Sequence, residues 1–341
     1  MLDVRNMLEE LLIGSIFFGT GGGGSPKEAN AIFQRLAKST GMPKLASLKE
    51  FPSDAVFVSA FTVGSSGASG AAEQPILRAA ENIISMLSRP VEGVVPVEIG
   101  PLALATAFHL AEELKVPVLD ADIVGGRSAP EVFLETITLF DLPRTPLAVS
   151  NAAGDDAMLL RASTFRQEES FLRDFAMRSD GQAYVVGYPL SAEQLRKSTE
   201  QGTVTRTVRA GKLLAGGERQ TLDREFSLKS FGKGEIVEIR EEEAGGFSQR
   251  WVTVRFSTST LCIFVKNEYL VVTLGDRIVV SCPDLIMLLN DEGMPLYGAS
   301  LEQGQLVEVV AAPALPLWRS PAGLKLFSPR QFGFESDAVL L

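Results

Sequence analysis

Histidine occurs once in this chain, at His109, and cysteine twice, at Cys262 and Cys282. That scarcity excludes a zinc site built on two or more imidazoles. The cysteines form no CxxC pair and sit in apolar, strand-like surroundings, so they read as buried structural thiols. Basic charge is also short. Against 42 Asp and Glu there are 32 Lys and Arg, a formal net charge of -10, the opposite of what a phosphate backbone attracts, which excludes nucleic acid as a partner. No apolar run reaches the ~18 residues that span a bilayer. The N-terminus, "MLDVRNMLEELLIGSIFFG", lacks a basic segment and is interrupted by acidic residues, unlike a secretory signal. These absences leave a cytoplasmic globular protein without membrane contact, its 341 residues enough for two cores.

The chain changes style part-way along. From residue 55 to about 150, apolar runs ("AVFVSAFTV", "VVPVEI", "VPVLDAD", "PLAVSN") alternate with helical patterns such as "PILRAAENIISML", "LALATAFHLAEEL" and "PEVFLETITLF". Strands apolar on both faces and joined by helices predict a largely parallel sheet flanked by helices, an α/β domain over residues 1–165. Residues 166–341 begin mixed and become β-rich: "EIVEIREEE", "RWVTVRFSTSTLCIFVKN", "YLVVTL", "RIVVS" and "QLVEVVA" are short strands parted by turn residues.

Three loops carry candidate chemistry. "GTGGGGSP", residues 19–26, satisfies G-x-G-x-x-G by letter, but a helical pattern precedes it and no acidic residue comes at the ribose-binding distance. There is no GK[ST] after the glycines either, so neither a nicotinamide nor a flavin cofactor is indicated. The residues next in line are a helix start, with Ser25 as N-cap, Pro26 at the first position and Glu28 three residues on. Gly21, Gly22, Gly23 and Gly24 are therefore candidates to present backbone N–H groups to a ligand at a helix N-terminus, or else a turn needed only for close packing. "GSSGASG", residues 64–70, comes after the first buried strand at its carboxyl end, where open α/β sheets bind ligands, and makes Ser65 and Ser66 candidates for substrate contact. "VPVLDADIVGGRSAPE" places Asp120 and Asp122 two apart at a strand end, on one side, with Arg127 near enough to neutralise them or to clamp a substrate carboxylate. The pair is the candidate acid and base, and Glu98, ending "VVPVE", joins them as a substrate contact. Ser128 and Glu131 read as a second capping box. His109 falls off the apolar stripe of its helix and reads as solvated.

Taken in order from residue 14 to 335, "GTGGGGSP", "PVEIGP", "VPVLDADIVGGRSAPE", "GTVTRTVRAGKLL", "FVKNEYL", "CPDLIMLLNDEGMPL" and "SPRQFGFE" resemble the hydantoinase-associated family typified by S-methyl thiohydantoin desulfurase. The resemblance implies an α/β domain followed by a β-rich one, and a small-molecule catabolic enzyme that hydrolyses or desulfurises a cyclic amide of hydantoin or thiohydantoin type. It also implies, as alternatives, a non-catalytic, metabolite-binding partner in a hydantoinase- or oxoprolinase-like complex, or a homo-oligomer. Nucleotide binding through the glycine loops stays open as a third reading. The chain departs from its relatives at "VGSSGASG" and "GPLALATAF", where the pocket lining is altered. A divalent metal would have to be held mainly by oxygen, from Glu98, Asp120 and Asp122.

Overall fold

A computed structural model describes residues 3, 5–64, 73–178, 181–244 and 247–341. The first sheet contains β1 (Leu45–Ala46), β2 (Val56–Gly64), β3 (Val91–Val94), β4 (Val118–Leu119), β5 (Leu147–Ser150), β6 (Asp156–Leu159) and β7 (Gln182–Ser191), in the order β1-β4-β3-β2-β7-β5-β6. The four strands β1, β4, β3 and β2 pair in parallel, β7 runs antiparallel between β2 and β5, and β6 closes the edge antiparallel to β5. Strands β1 to β5 thus share one direction. Alternation explains how β2 is covered on both sides: Val58 and Ala60 join one core cluster, Phe57, Phe61 and Val63 another.

The helices covering this sheet include α1 (Leu8–Phe18), α2 (Pro26–Lys38), α3 (Glu73–Met86), α4 (Pro101–Leu114), α5 (Thr136–Leu139), α6 (Phe165–Met177), α7 (Ala192–Ser198) and α8 (Thr203–Ala215). The helix anticipated over "PEVFLETITLF" shrinks to the single turn of α5. Its first half is held open instead, with the Val132 N–H donating to Glu169 at 2.6 Å. α4 is buried from Pro101 to Ala111, so it has no solvated face there for His109. His109 is 2% exposed and meets Arg35 of α2 at 2.6 Å, correcting its reading as a surface residue.

α1 and α8 cross with their backbones in contact. A Cβ on Gly211 would lie 1.7 Å from the Glu10 carbonyl oxygen, and one on Gly14 1.9 Å from that of Thr207. Gly211→Val should therefore force the helices apart and lower stability by about 3 kcal/mol or more, since neither partner is a movable side chain. Chemical denaturation measures it, and an unchanged midpoint would refute the close crossing.

The second sheet is antiparallel throughout, in the order β12-β11-β10-β9-β8-β14-β13. Its strands are β8 (Lys229–Ala244), β9 (Phe247–Arg255), β10 (Thr260–Lys266), β11 (Glu268–Leu274), β12 (Arg277–Ser281), β13 (Leu285–Leu289) and β14 (Leu306–Ala312). It curls into a half-barrel around Ile263, Val272, Ile286 and Val309. The opposite face, with Phe264, Leu270, Val271 and Met287, joins the core cluster that also contains α1 and α4. One hydrophobic core therefore runs through both halves and fixes the second sheet against the first. Among the described residues no helix is long and apolar enough to cross a membrane.

Candidate active site

After α1 the chain turns left-handed, with φ of 49° at Thr20, 90° at Gly21, 77° at Gly23 and 81° at Gly24. It then enters α2 as the sequence requires: Ser25 Oγ accepts the Glu28 N–H at 3.3 Å and Pro26 takes the first helical position. The loop is anchored mainly through its carbonyls. Thr20 accepts from the Tyr269 N–H at 2.7 Å, Gly21 from Gly298 at 2.8 Å and Gly23 from Leu102 at 2.9 Å. The Gly22 N–H is taken by Gly19 at 2.8 Å, so the row of free donors expected over Gly21 to Gly24 narrows, and Gly24 N–H is one that meets no acceptor among the described residues.

Gly22, Gly23 and Gly24 line a cavity of about 130 Å³ whose other walls include Phe61, Val63, Glu98, Asn267, Glu268 and Tyr297. Glu98 leaves β3 through "VVPVE" and its Oε2 accepts the Ala129 N–H at 3.1 Å. Burial raises its carboxyl to about 7, helped by the charge of Asp122 and opposed by the Ala129 N–H and Arg127. Glu268, 2% exposed, is raised well above the usual carboxyl range, first by burial and then by Glu98, with Arg127 and the Gly23 N–H pulling the other way. Gly22 is where a side chain would displace an acid: its Cβ would stand 1.9 Å from Glu268 Oε1.

Two further acids of the cavity are held by cations. Glu131 pairs with Lys266 rather than capping a helix, and Ser128 Oγ donates to the Ile99 carbonyl at 2.9 Å, which corrects the second capping box. Glu135, pushed up to about 8 by burial, is bound by Arg144 at 2.5 Å, and Arg144 also grips Glu168 at 2.9 Å and donates to Tyr188 Oη at 3.0 Å. On the wall, Glu98, raised to about 7, and Glu268, raised well above the usual carboxyl range, have no ion pair among the described residues.

Asp120, Asp122 and Arg127 lie outside the cavity wall. Asp122 is fully buried, its two oxygens accepting Gly125 N–H at 2.7 Å and Gly126 N–H at 2.8 Å, so it fixes the glycine turn. Burial raises it to about 7 against the Thr203 hydroxyl and those N–H groups. Asp120 accepts the Thr205 N–H at 2.9 Å and its hydroxyl at 2.5 Å, capping α8. Arg127 is buried behind the wall, donating to the Ser128 carbonyl at 2.9 Å and to Pro283 at 2.5 Å, with its guanidinium 4.6 Å from the Phe327 ring centre. Ser65 and Ser66 lie outside the described residues, although Gly64 before them lines the cavity. Glu98, Asp120 and Asp122 do not converge as a ligand set. Among the described residues the one group with metal-ligand spacing is His109, Glu112 and Glu113, and Arg35 already occupies it, 2.7 Å from Glu112.

An α/β half and an antiparallel half-barrel thus both contribute to one concave cavity lined by several carboxyls, the kind of place where small ligands bind in proteins generally. The sequence matches the S-Me-THD-like N-terminal domain over residues 6–161 and the S-Me-THD-like C-terminal domain over residues 163–341, and the chain belongs to that family. A crystal structure of a protein from Chromobacterium violaceum shares the fold, with a TM-score of 0.78 and 21% identity, covering 98% of each chain. No curated protein matches the sequence significantly.

Proposed function

We propose that this chain is a cytoplasmic enzyme that removes sulfur from a small thiohydantoin-type ring by hydrolysis. The observation that carries the reading is Glu98: a carboxyl on the cavity wall that titrates near neutrality, where a general base works best. In this reading the ring lies against the glycine loop, the Gly24 N–H supports charge that develops as water adds, and Glu98 takes the proton from that water. Oxygen from water then replaces sulfur on the ring carbon, and the sulfur leaves as a thiol.

Purified protein incubated with S-methyl thiohydantoins, hydantoins and 5-oxoproline, followed by ring absorbance and thiol release, tests the reading. Turnover of the S-methyl rings supports it. Tight binding without turnover of any ring would instead favour a metabolite-binding partner of a hydantoinase-like complex. Asp120 and Asp122 supply a control. Because they cap backbone N–H groups, Asp120→Asn and Asp122→Asn should each cost about 1 kcal/mol of stability and keep turnover within about 3-fold, far from the ~100-fold loss expected of a base. Large activity losses at unchanged melting temperature would return the chemistry to them.

A further inference from the structure

Glu268 stands at an unusual place for a carboxyl group. β10 and β11 form a tight hairpin in which Lys266 pairs with Glu268 and Asn267, at φ 61°, makes the reversal. A hairpin tip ordinarily faces water. This one is inserted between the two halves of the molecule, pinned by the Tyr269 N–H on the Thr20 carbonyl at 2.7 Å. Glu268 Oε1 occupies the space that a side chain on Gly22 would fill, and Oε2 is buried with no hydrogen-bond partner among the described residues. An ionised carboxylate left so unsatisfied would be costly, whereas a protonated one carries a donor that a ligand can accept. The charged groups around it are Glu98, which opposes its ionisation, Arg127 behind the wall, which favours it, and the neighbouring Lys266, whose charge is paired with Glu131.

We propose that Glu268 is the proton donor to the departing sulfur, so that the site works as a carboxyl pair holding one proton between Glu98 and Glu268. The inference rests on the desulfurisation reading above. Water adds to the S-bearing ring carbon, the carbon–nitrogen π pair moves to the ring nitrogen, and Glu98 carries one water proton to that nitrogen. The carbon–sulfur bond then breaks with its electron pair on sulfur, which takes the Glu268 proton and leaves as a neutral thiol. Glu98 removes the remaining hydroxyl proton as the new carbonyl forms, and that proton passes from Glu98 to Glu268, restoring the starting state.

A leaving-group series tests this with the full chain: S-methyl thiohydantoin, whose thiol is a weak acid, against S-(4-nitrophenyl) thiohydantoin, whose thiolate leaves without a proton. Glu268→Gln should slow the S-methyl substrate by about 100-fold or more, and the loss should shrink to less than about 5-fold with the nitrophenyl substrate. Glu98→Gln should slow both alike. In the unsubstituted protein the two substrates should react at similar rates, a measurement that does not depend on any variant folding. Equal losses on both substrates in Glu268→Gln, or a wild-type rate that rises steeply with leaving-group acidity, would overturn the donor role while leaving desulfurisation intact. Absence of turnover on either substrate by the wild-type protein would overturn both.

Discussion

Replacing Glu98 with Gln is expected to lower turnover by about 100-fold or more and, at the same time, to make the protein more stable above pH 7. The two effects have one origin. In the fold the Glu98 carboxyl is raised from 4.5 to about 7, chiefly by burial, so between those values the folded state holds a proton that the unfolded chain has lost. Stability contributed by the neutral form is fully present below pH 4.5 and declines as pH rises through about 7. Gln keeps the acceptor for the Ala129 N–H and cannot ionise, so the variant should melt with the wild type at low pH and above it at pH 8. The wild-type kcat/KM should climb with pH with a midpoint near 7 as the pair gives up its first proton and fall again at higher pH as it loses the one held by Glu268. Parallel melting and rate profiles measure both. If Glu98→Gln were fully active, or less stable than wild type at pH 8, Glu98 would be a structural residue.

Gly22→Val should produce the second large effect, loss of ligand binding and a fall in turnover of about 100-fold or more, in a protein that still folds. The backbone at Gly22 is not in the left-handed region, so a side chain there brings no left-handed backbone strain. Its side chain, however, takes the place of the Glu268 carboxyl, the far end of a flexible side chain, which must swing into the cavity that the ligand needs. Gly23→Val is a different experiment. At φ 77°, and with its Cβ 2.4 Å from the Gly100 Cα, it strains the loop and pushes on the start of α4, and a loss of about 3 kcal/mol is expected in addition to lost activity. Calorimetry separates the two variants: near-native melting for Gly22→Val, a clear drop for Gly23→Val. Wild-type binding by folded Gly22→Val would mean that the loop serves packing alone.

Much of the architecture is legible in the sequence because periodicity is local. "AVFVSAFTV" reads as a strand covered on both faces, and β2 is one; the alternating runs after residue 229 become the half-barrel. β7 is harder, since "AYVVGYPL" comes after a helix and one of its antiparallel partners, β2, lies far back in sequence. His109 misleads because a polar residue off an apolar stripe looks solvated, and nothing in α4 announces Arg35 waiting on α2. In the site, Glu98 and the glycines can be found because strand ends and bare backbone are sequence signals. Asp120 and Asp122 carry the same signal, yet their oxygens are turned to α8 and to the glycine turn, an outcome decided by side-chain direction. Glu268 escapes a reading of the sequence although its clue is present in "FVKNEYLVV": polar residues set in a run otherwise apolar on both sides, where a solvated turn is the common explanation.

The glycine loop lies near the beginning of the chain, yet two of the three groups that fasten its carbonyls, Tyr269 and Gly298, lie far along it. During synthesis the loop and Glu98 therefore leave the ribosome long before the hairpin that completes their cavity. The same wiring constrains how relatives can diverge. Exchange of the C-terminal half between two genes would replace Glu268, Asn267 and Tyr297 together while keeping Glu98, so recombination at the middle of the gene would remake one wall of the cavity in a single event.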